Sequence, residues 1–130
     1  MTCNLKSSDC NAWPILTEEE IQERMSTLTM WKLIKGENSY KLVRDFTCKN
    51  FQCCLNFISA AGAIAEERGH HPDLHLTEFR NMKIEIFSHG LSALTDNDFN
   101  LCRAIDTIKI EYSPKFLKSH PECHGTEISL

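Results

Sequence analysis

The chain reads as an α+β domain: a four-stranded antiparallel sheet with three helices on one face, in the order α-β-β-α-β-β-α. Three observations predict this. Helical periodicity appears in three separate stretches, and each gap between them holds two short segments rich in aromatic and branched residues. A chain of 130 residues with 42% hydrophobic content suffices for one core and not for two, so residues 1–130 form a single domain.

The first helix is predicted from Thr17 to Leu28. Thr17 and the glutamates Glu18, Glu19 and Glu20 make a capping box, and Ile21, Met25 and Leu28 repeat on one helical face. Trp31 to Ile34 and Tyr40 to Phe46 form a hairpin around the turn-forming run from Lys35 to Ser39. The central helix runs from Asn50 to Glu67 without a proline. Its stripe is Phe51, Leu55, Ile58, Gly62 and Ala65, widened by Phe57 and Ile64, and Gly62 with its flanking alanines should let the backbone approach the sheet closely. Leu74 to Phe79 and Met82 to Ser88 make a second hairpin with Arg80 and Asn81 at the turn. Alternation puts Ile84 and Ile86 on one face, and Lys83, Glu85, Phe87 and His89 on the other. The last helix opens at Thr95, with Leu94 and Phe99 as a hydrophobic staple. A stripe of Leu101, Ile105, Ile108 and Tyr112 carries it to Pro114, which should end it. The core is thus about 17–112. The tail, 113–130, contains Pro114, Pro121 and Gly125, shows no periodicity, and is expected to be partly disordered.

A net charge of −4 with scattered Lys and Arg argues against direct nucleic-acid binding. Met1 to Asp9 lack an apolar run, and no later stretch is long enough to span a membrane, so the expected location is the cytoplasm. Seven cysteines include no C-x-x-C pair, and Cys53, Cys54 and Cys102 fall in helical patterns that suit buried thiols. Cys3, Cys10 and Cys123 lie near the termini and stay unassigned.

The chemistry-bearing feature is a histidine cluster. Glu66 to Pro72 read Glu-Glu-Arg-Gly-His-His-Pro, and His89 follows the next apolar stretch. Imidazole exchanges protons near neutrality, so clustered histidines suit acid–base work or metal binding. Gly69 should end the central helix, and Pro72 pushes His71 toward extended geometry, so His70 and His71 point in different directions.

The assembled residues resemble the pterin-4a-carbinolamine dehydratase family. Members carry Ala-Glu ahead of His-His-Pro or His-Asn-Pro, a hairpin ending in His, and Gly-Leu-Thr or Gly-Leu-Ser with an Asp opening the last helix. Here these are Ala65, Glu66, His70, His71, Pro72, His89, Leu94, Thr95 and Asp98, with Trp31, Phe46, Phe51 and Phe57 matching upstream. The interval from His71 to His89 is one residue longer than in many members. Leu74 and His75 replace the aromatic that usually follows the proline, and Ala93 stands where glycine is common.

The resemblance implies dehydration of 4a-hydroxytetrahydropterin to quinonoid dihydropterin, with no metal and no cofactor. His70 would protonate the leaving hydroxyl, His89 would be its partner across the site, and His71 would position the pterin and could act as base. Glu66 would bond a histidine or a pterin nitrogen, and Asp98 would orient an imidazole. Pro72 and Trp31 support the site, Trp31 as packing with a wall role. The resemblance also implies a homodimer or homotetramer. The competing class is a non-enzymatic binding or assembly module, a dimerisation cofactor or transcriptional coactivator with a transcription-factor or assembly partner.

Blander readings stand beside these. His70 and His71 suit a helix end, His89 a strand end, Asp98 a capping box, and Glu66 a solvated helix face. Zinc on His71, His75 and His89, or on His120, Cys123 and His124, lacks a known ligand spacing.

Overall fold

The computed structural model describes residues 13–36, 39–87 and 93–128. Strands β1 (Lys32–Lys35), β2 (Tyr40–Thr47), β3 (Asp73–Thr77) and β4 (Asn81–Ile86) form one sheet in the order β1-β2-β4-β3, every pairing antiparallel. Helices α1 (Glu18–Met25), α2 (Phe51–Arg68) and α3 (Asp96–Ile105) complete the expected α+β plan.

Strand alternation creates the core. Leu42, Arg44 and Phe46 of β2 face the helices beside Met82, Ile84 and Ile86 of β4, and all six are buried. Phe57 of α2 meets Phe46 edge-on, ring centroids 4.9 Å apart, an arrangement that adds about 0.5–1.5 kcal/mol to simple burial. The staple residues Leu94 and Phe99 are fully buried.

Helix α1 has its capping box, with Thr17 N donating to Glu20 Oε1 at 2.9 Å and Glu20 N to Thr17 Oγ1 at 3.2 Å. It stops at Met25, short of Leu28. The hydroxyls of Ser26 and Thr27 donate to the Glu23 and Arg24 carbonyls, local bonds that compete with helix propagation.

The buried stripe of α2 is not the predicted one. Cys54, Phe57, Ala61 and Ala65 are buried, while Phe51 and Leu55 are 48% and 38% exposed. Small residues at 54, 61 and 65 let the helix sit close to its neighbours, and the large ring of Phe57 fixes which side faces inward. Gly62 plays no close-packing part: a Cβ there would meet nothing within 4 Å.

The C-terminal region departs most from expectation. Helix α3 ends at Ile105 instead of running to Tyr112, because the Asp106 side chain is drawn into the core network described below and the Thr107 hydroxyl donates to Ala104 O at 2.7 Å. The chain then bridges Cys48 through Tyr112 and runs beside Glu127 at Ile110. Pro114 starts a helix rather than ending one. It occupies the first turn of α4 (Pro114–Ser119), where its missing N–H costs nothing, and a 3₁₀ turn follows at Pro121–Cys123. The tail expected to be partly disordered is ordered through residue 128.

Candidate active site

Helix α2 ends as Gly69 should end it. Gly69 adopts φ 64° and ψ 27°, the left-handed conformation that glycine takes without steric cost, and His70 N donates back to Ala65 O at 3.2 Å. That turn points His70 into the protein and leaves His71 outside before Pro72 leads into β3.

His70 is fully buried, and its Nε2 lies 2.8 Å from Asp98 Oδ1, also fully buried. The second oxygen of Asp98 accepts Thr95 N at 2.9 Å, closing the capping box of α3. One carboxylate therefore fixes a helix start and an imidazole together. With Nε2–H donating to the carboxylate, the lone pair falls on Nδ1. That atom is buried and has no hydrogen-bond partner among the described residues. Buried polar atoms are rarely left so, and an orphan imidazole nitrogen beside a buried carboxylate marks a place where a ligand group or proton belongs.

His71 is its opposite. Its side chain is 54% exposed and its Nε2 bonds Glu66 Oε2, one turn back on α2. The structure thus joins His70 to Asp98 and His71 to Glu66. Pro72, half-buried, carries the chain into β3, while His89 lies outside the described residues.

Trp31 has a carboxylate partner of its own. Its Nε1–H donates to both oxygens of Asp106, at 2.9 and 3.0 Å, as part of a buried network that residue patterns had not suggested. Arg44, 1% exposed, donates to Asp106 Oδ1 at 2.8 Å and to the Tyr112 hydroxyl at 2.7 Å. Burial raises the Asp106 carboxyl above its usual range, against the pull of Arg44 and Trp31, and burial pushes the Tyr112 phenol up to about 12. The available signal was Arg44 itself, on the inward alternation between Leu42 and Phe46.

Comparison with known proteins agrees with this framework. Residues 14–108 match the profile of the Pterin 4 alpha carbinolamine dehydratase family. The chain is 38% identical over 108 residues to pterin-4-alpha-carbinolamine dehydratase 2, mitochondrial, of Arabidopsis thaliana, covering 82% of this chain and 58% of that protein. This chain thus spans under two thirds of that relative's length. The crystal structure of a transcriptional coactivator/pterin dehydratase from Brucella melitensis shares the fold, with TM-score 0.65, 24% identity, and coverage of 72% of this chain and 97% of the other. A pterin dehydratase-like protein described as a RuBisCO assembly factor in the alpha-carboxysome does so with TM-score 0.50, 19% identity, and coverage of 59% and 86%. With its profile spanning most of the residues and its His-His-Pro turn set between α2 and β3, the chain belongs to the pterin-4a-carbinolamine dehydratase family.

Proposed function

We propose that the protein dehydrates a 4a-hydroxytetrahydropterin to the quinonoid dihydropterin by histidine acid–base catalysis. The observation that carries this reading is the orphan Nδ1 of His70, buried beside a carboxylate that holds the other ring nitrogen. In the reaction the bond from carbon 4a to the hydroxyl oxygen breaks, and a proton delivered to that oxygen lets it leave as water. The lone pair of the adjacent ring nitrogen forms the new double bond, and a base takes the ring N–H proton.

Asp98 holds Nε2 of His70 and so aims the Nδ1 edge of the ring as the acid, with His89 as its partner. His71 positions the pterin and can receive a proton, its ring steadied by Glu66. Because His70 is enclosed in the free chain, pterin binding must uncover it. His71 is already accessible, and single variants separate the two roles.

The test is stopped-flow decay of freshly generated 4a-hydroxytetrahydropterin. Wild type should accelerate decay, and His70→Ala should lower the rate by about 10²- to 10⁴-fold, the usual loss for a positioned acid or base. No acceleration by wild type, or an unchanged rate in the His70→Ala, His89→Ala double variant, ends the enzyme reading.

A binding or assembly role is the second reading, suggested by the coactivator and assembly-factor descriptions of the two structural neighbours. We further propose a homodimer or homotetramer, since β1 and β3 are sheet edges with unpaired backbone groups that invite a second copy. Light scattering giving a monomer mass at micromolar concentration would refute it. No helix among the described residues is long and apolar enough to cross a membrane, and the five described cysteines are all free thiols. The free thiols support a reducing setting, and we propose the cytoplasm, which fractionation would check.

A further inference from the structure

Among the described residues four buried side-chain nitrogens have no hydrogen-bond partner: Trp13 Nε1, Arg44 Nε, His70 Nδ1 and Asn97 Nδ2. Arg44 Nε belongs to the core, where both terminal nitrogens of the same guanidinium are held, by Asp106 and Tyr112. The other three gather around the first turn of α3. Native interiors leave few such atoms, so three at one helix end call for a cause.

The chain path brings them together. Asn97 is the second residue of α3 and only 7% exposed, and its backbone N–H is taken by Thr95 Oγ1 at 3.2 Å. Its amide nitrogen stays outside the capping bonds. Asp98, the next residue, holds His70 through Nε2. From the other side, the segment before α1 runs antiparallel to the entry of α3: Ile15 bridges Thr95, and Leu16 N donates to Leu94 O at 3.0 Å. Two residues outward from that bridge on each strand, Trp13 comes level with Asn97. Indole and amide nitrogens only donate, so the group that satisfies them is an acceptor. Asp96 and Asp98 share the turn, and their carboxylates favour a neutral acceptor over an anion.

We propose that Asn97 and Trp13 bind the ring carbonyl of the pterin. The proposal rests on the dehydratase reading and adds two substrate-binding residues to it. In a 4-oxopterin the carbonyl carbon is bonded directly to carbon 4a. Fixing that oxygen at the first turn of α3 therefore presents the 4a-hydroxyl to His70, held by the same turn through Asp98. The carbonyl is also the one oxygen that the ring system keeps from substrate to product, so these bonds hold both states alike and serve binding more than the chemical step. Trp13 precedes residue 14, where the family profile begins, so one of the two donors lies outside the shared profile.

The test is calorimetry of the full chain with 2-amino-4-oxo-7,8-dihydropteridine and its 2,4-diamino counterpart, in which an amine replaces the carbonyl. Wild type should bind the oxo compound at least about tenfold more tightly, because the amine sets a donor against two buried donors. Asn97→Asp keeps the side-chain shape, suits the first turn of a helix, and exchanges a donor for an acceptor. It should melt within a few degrees of wild type, lose at least about tenfold in affinity for the oxo compound, and narrow or reverse the preference. Trp13→Phe keeps a ring without the N–H and should narrow the preference as well. In turnover both losses should fall on KM more than on kcat. Equal affinity of wild type for the two compounds, binding of neither at millimolar concentration, or wild-type affinity for the oxo compound in either variant overturns the proposal. Acceleration of 4a-hydroxytetrahydropterin decay that depends on His70 but on neither Asn97 nor Trp13 overturns this assignment alone. The oxo preference in a wild type that does not accelerate decay overturns the dehydratase reading alone.

Discussion

Asp98 caps α3 through one oxygen and orients His70 through the other, so its two duties can be separated chemically. In Asp98→Asn the amide oxygen can still accept Thr95 N, while the amide nitrogen can only donate to His70 Nε2. That reverses the imidazole tautomer and puts the proton on Nδ1 of the neutral ring. The expected outcome is a folded protein, its melting temperature within a few degrees of wild type, with turnover lowered by about 10²- to 10⁴-fold. A variant that kept full turnover would reduce Asp98 to a cap. These residues were legible because His70 and Asp98 each sit at a helix boundary with local grammar: a glycine stop and a capping box. The bond joining them, across 28 positions, was legible only by resemblance. Arg44, Asp106 and Trp31 had no such help, since their contacts span 62 and 75 positions and repeat no local period.

At the level of elements, α2 shows how periodicity finds a helix yet misplaces its face. The predicted and buried stripes share Ala65 and Phe57. Sequence counting ranked Phe51 and Leu55 by hydrophobicity alone, whereas packing selected the small residues Cys54 and Ala61 around one large ring. Gly62 follows from the same correction. With open space where its Cβ would go and ordinary helical surroundings, Gly62→Ala should raise stability by about 0.5–1 kcal/mol in urea denaturation. Gly69→Ala should do the reverse, losing about 1–2 kcal/mol because of its left-handed backbone and disturbing the histidine turn with it.

The sheet has an acid-sensitive point at Glu85. Burial favours its neutral form, but the His75 hydrogen bond and the charges of Lys41 and Lys83 outweigh this and hold its pKa below the ordinary 4.5. A folded-state pKa below the unfolded one gives stability that is present above 4.5 and disappears as pH falls through the lower folded value. The stability difference between wild type and Glu85→Gln, measured by urea melts, should therefore shrink as pH falls from 6 toward 3, a window set by that lowered pKa.

For the whole molecule, the sheet-and-helix order was readable from sequence because each element carries its own period. The C-terminal segment was not, because Pro114 begins and ends helices with equal chemical ease, and only the surrounding contacts decide. Those contacts are tertiary: Ser113 N donates to Thr47 O at 2.9 Å, Lys49 N to Glu111 O at 3.0 Å, and Ile110 N to Thr126 O at 3.0 Å. The Tyr112 hydroxyl joins Arg44 to Thr126 Oγ1, at 2.7 Å on each side. Tyr112→Phe strips a partner from a buried guanidinium and should cost about 1–3 kcal/mol, read as a lower urea midpoint with an unchanged slope.

The same link has a consequence for synthesis. Arg44 is synthesised between two residues of the core, but the hydroxyl that binds its guanidinium belongs to Tyr112, 68 positions later. Until that later stretch has left the ribosome, the nascent chain holds a guanidinium without this partner, and closure of the interior around it must wait for Tyr112.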